Sequence, residues 1–213
     1  MEVASSASTQ AQATATDRKR LLLRVAEDYL QRTEGISFRL NALLVAKLYA
    51  YFTRQPDSEL DIRKGLWLEG PIGTGKTTLM RVFHEFGKLH RQGFMLCTAA
   101  EIASAYGTSG SLDLYTANAN GYSRRPVALC VDELGREQLP ATHFGNRLNT
   151  LQYVLQQRYT LWQQGEAVTH VTTNLCAGEV RQLYGDFIFD RCRHMFNIVT
   201  LTGKSLRGSI QNT

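Results

Sequence analysis

The stretch Gly70-Pro71-Ile72-Gly73-Thr74-Gly75-Lys76-Thr77 decides the reading of this chain. It fits the eight-residue P-loop pattern, Gly, four residues, then Gly-Lys-Thr. An apolar run, Leu66-Trp67-Leu68, precedes it, and an amphipathic stretch with Leu79, Val82, Phe83 and Phe86 follows. Strand, loop, helix is the order that phosphate binding requires. Glycines let the backbone wrap so that amide N–H groups converge on an anion. The helix N-terminus adds about half a positive charge there. Lys76 is expected at the β and γ phosphates and Thr77 at Mg²⁺, with Thr78 beside them.

A P-loop needs a carboxylate at the end of a neighbouring buried strand. Val127-Ala128-Leu129-Cys130-Val131-Asp132-Glu133 supplies five apolar residues running into two acids. Asp132 is the candidate metal ligand. Glu133 is the candidate base that orients and deprotonates water, which favours a hydrolase over a kinase. ATP and Mg²⁺ are the implied cofactors.

Working outward, short β-rich runs alternate with helical stretches. Strands are expected at Leu66–Glu69, Phe94–Cys97, Val127–Val131, Val168–Thr173 and Phe196–Leu201. Helices are expected at about Lys76–His90, Glu101–Tyr106 and Phe144–Trp162. That alternation indicates an α/β fold with a parallel sheet flanked by helices. Ahead of it, Asp17–Arg32 and Phe38–Arg54 read as two helices that either pack on the domain or bind a partner. Residues 1–16, rich in Ala, Ser, Thr and Gln, read as a disordered tail. The expected organisation is thus a tail at 1–16, a helical segment at 17–64 and a nucleotide-binding domain at 65–213.

Composition sets broad limits. The 213 residues are 43% hydrophobic and 20% charged, enough to bury a core. No apolar run reaches the roughly 18 residues of a transmembrane helix. The tail lacks the features of a secretory signal. Four cysteines, Cys97, Cys130, Cys176 and Cys192, form no CxxC pair, which argues for a reducing cytoplasm. Cys97 and Cys130 are expected as core thiols. A net charge of +5 is compatible with a nucleic-acid partner. His84-Glu85 and His90 resemble a zinc-protease pattern, but histidines six apart on a helix point about 240° away from each other.

Taken together these residues resemble AAA+ ATPases of the DnaC/IstB group, helicase loaders and transposition helper proteins. The resemblance spans roughly Gly65 to Arg207. It includes the P-loop, Val131-Asp132-Glu133-Leu134-Gly135, Leu155-Gln156-Gln157-Arg158-Tyr159, Thr172-Thr173-Asn174-Leu175, Asp190-Arg191-Cys192-Arg193 and Ser205-Leu206-Arg207. It implies a three-layer P-loop NTPase with strand order 5-1-4-3-2 and a small lid. It further implies assembly into rings or spirals, with ATP at subunit interfaces. Asn174 would be the polar sensor. Arg191, or Arg193 in its place, would be the arginine finger. Arg207 would be the second sensor, with Lys204 competing for the role. Relatives insert a DNA-touching element between the second and third strands. Here Tyr106, Tyr115, Tyr122, Arg124 and Arg125 are its candidates, by ring stacking and phosphate contact, or else they form a polar surface loop with the tyrosines tucked back on the domain.

The expected function is Mg²⁺-dependent ATP hydrolysis that remodels a DNA–protein complex, as in loading a hexameric replicative helicase. Single-stranded DNA stands ahead of duplex as the nucleic-acid partner. A transposition helper working with a transposase on duplex DNA, a P-loop small-molecule kinase and a nucleotide-gated adaptor are the alternatives.

Overall fold

The computed structural model describes residues 2–33, 41–89, 93–117, 126–203 and 205, with backbone alone for 2–16. Five strands form one parallel sheet: β1 (Gly65–Glu69), β2 (Met95–Thr98), β3 (Leu129–Leu134), β6 (Thr169–Thr173) and β7 (Phe196–Thr200). Their order is β2-β3-β6-β1-β7. Counted among the sheet strands alone, that is 5-1-4-3-2, as the resemblance implies. A separate antiparallel hairpin pairs β4 (Ala141–His143) with β5 (Asn146–Leu148).

Both faces of the sheet are covered, so its strands read as near-continuous apolar runs. On one face lie α4 (Ala99–Ser109), α5 (Thr150–Gln163) and α6 (Ala177–Met195). Their core joins Ile102, Leu151, Val154, Tyr184 and Ile188 to Leu129, Val131 and Val171. On the other face, α3 (Lys76–Leu89) packs Leu79, Met80, Val82 and Phe83 beneath α1 (Glu2–Thr33) and α2 (Ala42–Phe52). Leu22 and Ala26 of α1 and Leu48, Tyr49 and Phe52 of α2 share that core with Leu66 and Leu68. Phe52 stacks on Phe83 with ring centroids 4.7 Å apart. Asn41 caps α2 by accepting from the Leu43 and Leu44 amides. The chain between α2 and β1 is pinned to β7, because the Asn197 amide accepts from Asp61 N (3.0 Å) and donates to Asp61 O (2.9 Å).

Arg158 of α5 holds the entry to two strands. Fully buried, it donates to Thr169 Oγ1 (2.8 Å) and to the carbonyls of Val127 and Val168, each at 2.9 Å. Burial lowers its pKa to about 10, which leaves it charged at neutral pH.

Three expectations are corrected, and one element is added. The first helix starts at Glu2, not Asp17; the Ala-rich stretch before Asp17 holds no Gly or Pro to interrupt a helix. The second starts at Ala42, not Phe38, with Asn41 as its cap. Phe144 does not open a helix: it sits in the turn of the β4–β5 hairpin, and α5 begins at Thr150 behind the Asn149 cap. Finally, α6 fills a stretch that carried no assignment. Cys97 and Cys130 are buried, free thiols.

Candidate functional site

At the C-terminal end of β1 the backbone turns through Gly70, Gly73 and Gly75, with φ of 141°, 83° and 88°. A side chain at Gly70 would meet the Leu201 carbonyl at 2.1 Å, so only glycine fits this corner. Within the loop, Lys76 Nζ donates to Gly70 O (2.7 Å) and Pro71 O (2.8 Å). Thr74 Oγ1 donates to the same Pro71 carbonyl at 2.9 Å. Thr74, Lys76 and Thr78 are buried while Ile72 is exposed. Desolvation lowers the Lys76 pKa, and the nearby Asp132 and Glu133 carboxylates oppose that shift.

Parallel pairing brings the end of β3 to the same edge of the sheet as the P-loop. There Thr77 Oγ1 donates to Asp132 Oδ1 at 2.9 Å. Thr172 of β6 donates to the same oxygen, and its hydroxyl accepts from Glu133 N at 2.9 Å. The other oxygen, Asp132 Oδ2, is buried and has no hydrogen-bond partner among the described residues. A hydroxyl and a carboxylate with one oxygen unspent are hard oxygen donors of the kind Mg²⁺ takes, so these residues fit that ion.

Glu133 is turned differently from its neighbour. The β3–β6 register shifts between Val131 and Leu134, and within that shift Glu133 has φ of 56° and an exposed side chain. A bulge of this kind re-aims a side chain out of the ladder. Asp132 faces the P-loop threonine and Glu133 faces solvent. Thr173 pairs with Glu69, so Asn174, half-buried, follows at the level of Gly70.

Two residues of this edge, Thr172 and Glu137, carried no expected role. Thr172 ties Asp132 to the Glu133 amide, as described. Glu137, buried, accepts from Gly135 N (2.8 Å) and from the Tyr184 hydroxyl of α6. Burial of the phenol, with the Glu137 carboxylate beside it, pushes the Tyr184 pKa up. The turn behind β3 is thereby anchored to α6. A Thr two residues before Asn174 and a Glu four residues after Glu133 look like ordinary turn chemistry in sequence; the pairing of β3 with β6 reveals the target of the first and the docking of α6 that of the second.

Arg191 lies elsewhere. Its guanidinium sits between two rings, 3.7 Å from the Phe187 centroid and 4.6 Å from that of Tyr159. Arg191 nears the end of α6, and Phe196 just beyond it pairs with Gly65, the first residue of β1. It therefore belongs to the sheet edge opposite its own P-loop. Arg193 is exposed on the same helix.

The expected DNA contacts divide. Tyr115 is buried in the core with Ile102 and Leu112, so its ring has no free face; that expectation is corrected. Tyr106 is half-buried and approaches His143 of the hairpin, with ring centroids 6.0 Å apart. Tyr122, Arg124 and Arg125 lie outside the described residues, as do His90, Lys204 and Arg207. Ser205 is described and packs over the P-loop: a Cβ at Gly73 would meet its Oγ at 2.1 Å. No helix among the described residues is long and apolar enough to cross a membrane.

No family model and no curated protein matches the chain. Solved structures do. A candidate primosome component from Streptococcus pyogenes serotype M3 aligns with TM-score 0.53 and 20% identity, covering 78% of this chain and 84% of that one. The DnaI structure aligns with TM-score 0.51 and 19% identity, covering 83% and 94%. The DnaC helicase loader aligns with TM-score 0.50 and 14% identity, covering 78% and 93%. The chain has the AAA+ P-loop fold.

Proposed function

We propose that this protein is a Mg²⁺-dependent ATPase that remodels a DNA–protein complex, in the manner of a helicase loader. The carrying observation is the meeting of Thr77 with Asp132, one of whose oxygens stays unspent beside the P-loop. In this reading Lys76 binds the β and γ phosphates from the loop that already gathers its ammonium. Thr77 and Asp132 hold Mg²⁺, which when bound neutralises charge on the phosphate oxygens. Glu133, exposed and aimed away from Asp132, orients water and accepts its proton. Asn174, level with the start of the loop, hydrogen-bonds the γ-phosphate or that water.

Arg191 completes the site of a neighbouring copy. Its place at the opposite edge of the sheet supports action in trans, since it belongs to the far end from its own nucleotide loop. The likeness to a DnaC helicase loader and to DnaI supports a role at a replicative helicase.

The test is ATP turnover against protein concentration, alone, with single-stranded DNA and with duplex DNA. The reading expects a specific rate that climbs with concentration and a curve shifted most by single strands. A larger shift with duplex would favour a transposition helper. A flat rate blind to DNA would overturn the shared site and the remodelling role together.

A further inference from the structure

The β4–β5 hairpin is built to hold one aromatic ring in water. Its turn is Phe144-Gly145, with φ of 43° and 84°. Two successive residues at positive φ suit Asn-Gly or Gly-Gly. A large aromatic there is strained, because its Cβ crowds the backbone in the left-handed region. Yet Phe144 is 95% exposed, so burial does not offset that strain.

The stem beneath the ring is fixed. His143 Nδ1 lies 3.0 Å from the Gly107 carbonyl of α4. Its ring fills the space over Gly110, where a Cβ would come within 2.6 Å of it. Phe144 meets this histidine in a T-shaped pair, with centroids 4.5 Å apart. The tip is therefore displayed from a docked base.

The hairpin itself carries Arg147 and no carboxylate. From Gln138 through Gly165 the sequence contains no Asp or Glu. Arg147, cross-strand from Thr142, is exposed on the hairpin, and Arg136 is exposed just before it. Thr142, Gly145 and Asn146 around the ring are exposed and small or polar. A protein partner would call for a contiguous apolar patch with a buried centre. A single exposed ring on a hairpin that also carries an exposed arginine matches base stacking with phosphate contact.

We propose that the hairpin tip is a contact for single-stranded DNA, with Phe144 stacking on an unpaired base and Arg147 meeting a neighbouring phosphate. The proposal rests on the reading of the chain as a DNA-remodelling ATPase and gives that reading a surface. The hairpin follows β3 in the chain, with six residues between Leu134 and Ala141.

The test is fluorescence anisotropy of labelled oligothymidylate with the intact chain and its variants. Phe144→Ala should weaken binding roughly five- to a hundredfold, the worth of one stacked base, and Phe144→Trp should retain it. Phe144→Asn should lose affinity equally while unfolding at no lower temperature, since asparagine tolerates the turn. Arg147→Ala should shallow the dependence of log affinity on log salt by about 0.7. Equal affinity of wild type and Phe144→Asn would overturn the contact and leave the ATPase reading standing. A wild-type chain that binds no oligothymidylate, with or without ATP, would overturn both.

Discussion

Thr77 and Asp132, 55 positions apart in sequence, meet through a 2.9 Å hydrogen bond from hydroxyl to carboxylate. The bond spans the P-loop helix and the third sheet strand in order, with β6 between β3 and β1. Thr172 of that intervening strand donates to the same carboxylate oxygen. Two hydroxyls thus fix the carboxylate and leave Oδ2 free to serve a cation.

Thr77→Val should therefore raise the Mg²⁺ concentration needed for half-maximal turnover, while Thr77→Ser should stay near wild type. Each lost bond to a charged group is worth roughly 1.5–3 kcal/mol, so a shift of roughly 10–150-fold is expected. A Mg²⁺ titration of ATPase rate reads it directly. An unchanged titration would remove Thr77 from the metal site.

Lys76→Ala and Glu133→Gln should separate binding from chemistry. Loss of the ammonium should abolish measurable ATP binding, followed with a fluorescent ATP analogue. Glu133→Gln should bind that analogue normally and turn over about 10²–10⁴-fold more slowly, the usual worth of a general base. Continued turnover near the wild-type rate would reassign the base.

Arg191→Ala should keep nucleotide affinity and lose about 10³–10⁵ in rate if its guanidinium serves a neighbour's phosphate. Mixing it with Lys76→Ala protein should restore some turnover, because one copy supplies the loop and the other the finger. Co-assembly is verified first by sedimentation. A mixed assembly with no recovered activity would argue against a finger in trans and turn attention to Arg193.

Much of this was legible in sequence because the sheet is buried on both faces. Leu66–Glu69 and Val127–Val131 read as strands without any pattern beyond apolarity. The P-loop and the Asp132-Glu133 pair were legible because phosphate chemistry leaves few substitutes. Other elements were hidden for identifiable reasons. In α6, Val180, Tyr184, Ile188 and Cys192 recur every four residues, but Gly185, at φ 84°, breaks the helix inside that pattern. The hairpin was hidden because Phe-Gly is a poor signal for a turn with two positive φ values. Among Gly, Ser and Asn, Tyr115 could be read either as a stacking ring or as one tucked back on the domain; the structure has the second, with Leu112 and a short 3₁₀ turn (Asp113–Tyr115) beside it in the core.

His170 yields a pH prediction on stability. It is buried in the middle of the sheet, and its Nδ1 accepts from Leu66 N at 3.1 Å, which requires the neutral ring. Phe52 and Phe94 pack beside it at 5.6 and 5.1 Å between centroids, and no carboxylate is bonded to it among the described residues. Desolvation, with a smaller push from Arg158, lowers its pKa to about 3. An unfolded histidine titrates near 6.5, so between these values the unfolded chain binds the extra proton. Stability from this group is whole above about pH 6.5 and is lost as pH falls toward 3. At pH 5 the loss should be about 2 kcal/mol, from roughly 1.5 pH units at about 1.36 kcal/mol each. His170→Asn keeps a polar acceptor without a titrating ring. It should be less stable at pH 7, yet lose about 2 kcal/mol less than wild type between pH 7 and pH 5 in urea unfolding. Parallel losses in the two proteins would show that His170 does not set the acid limit of the fold.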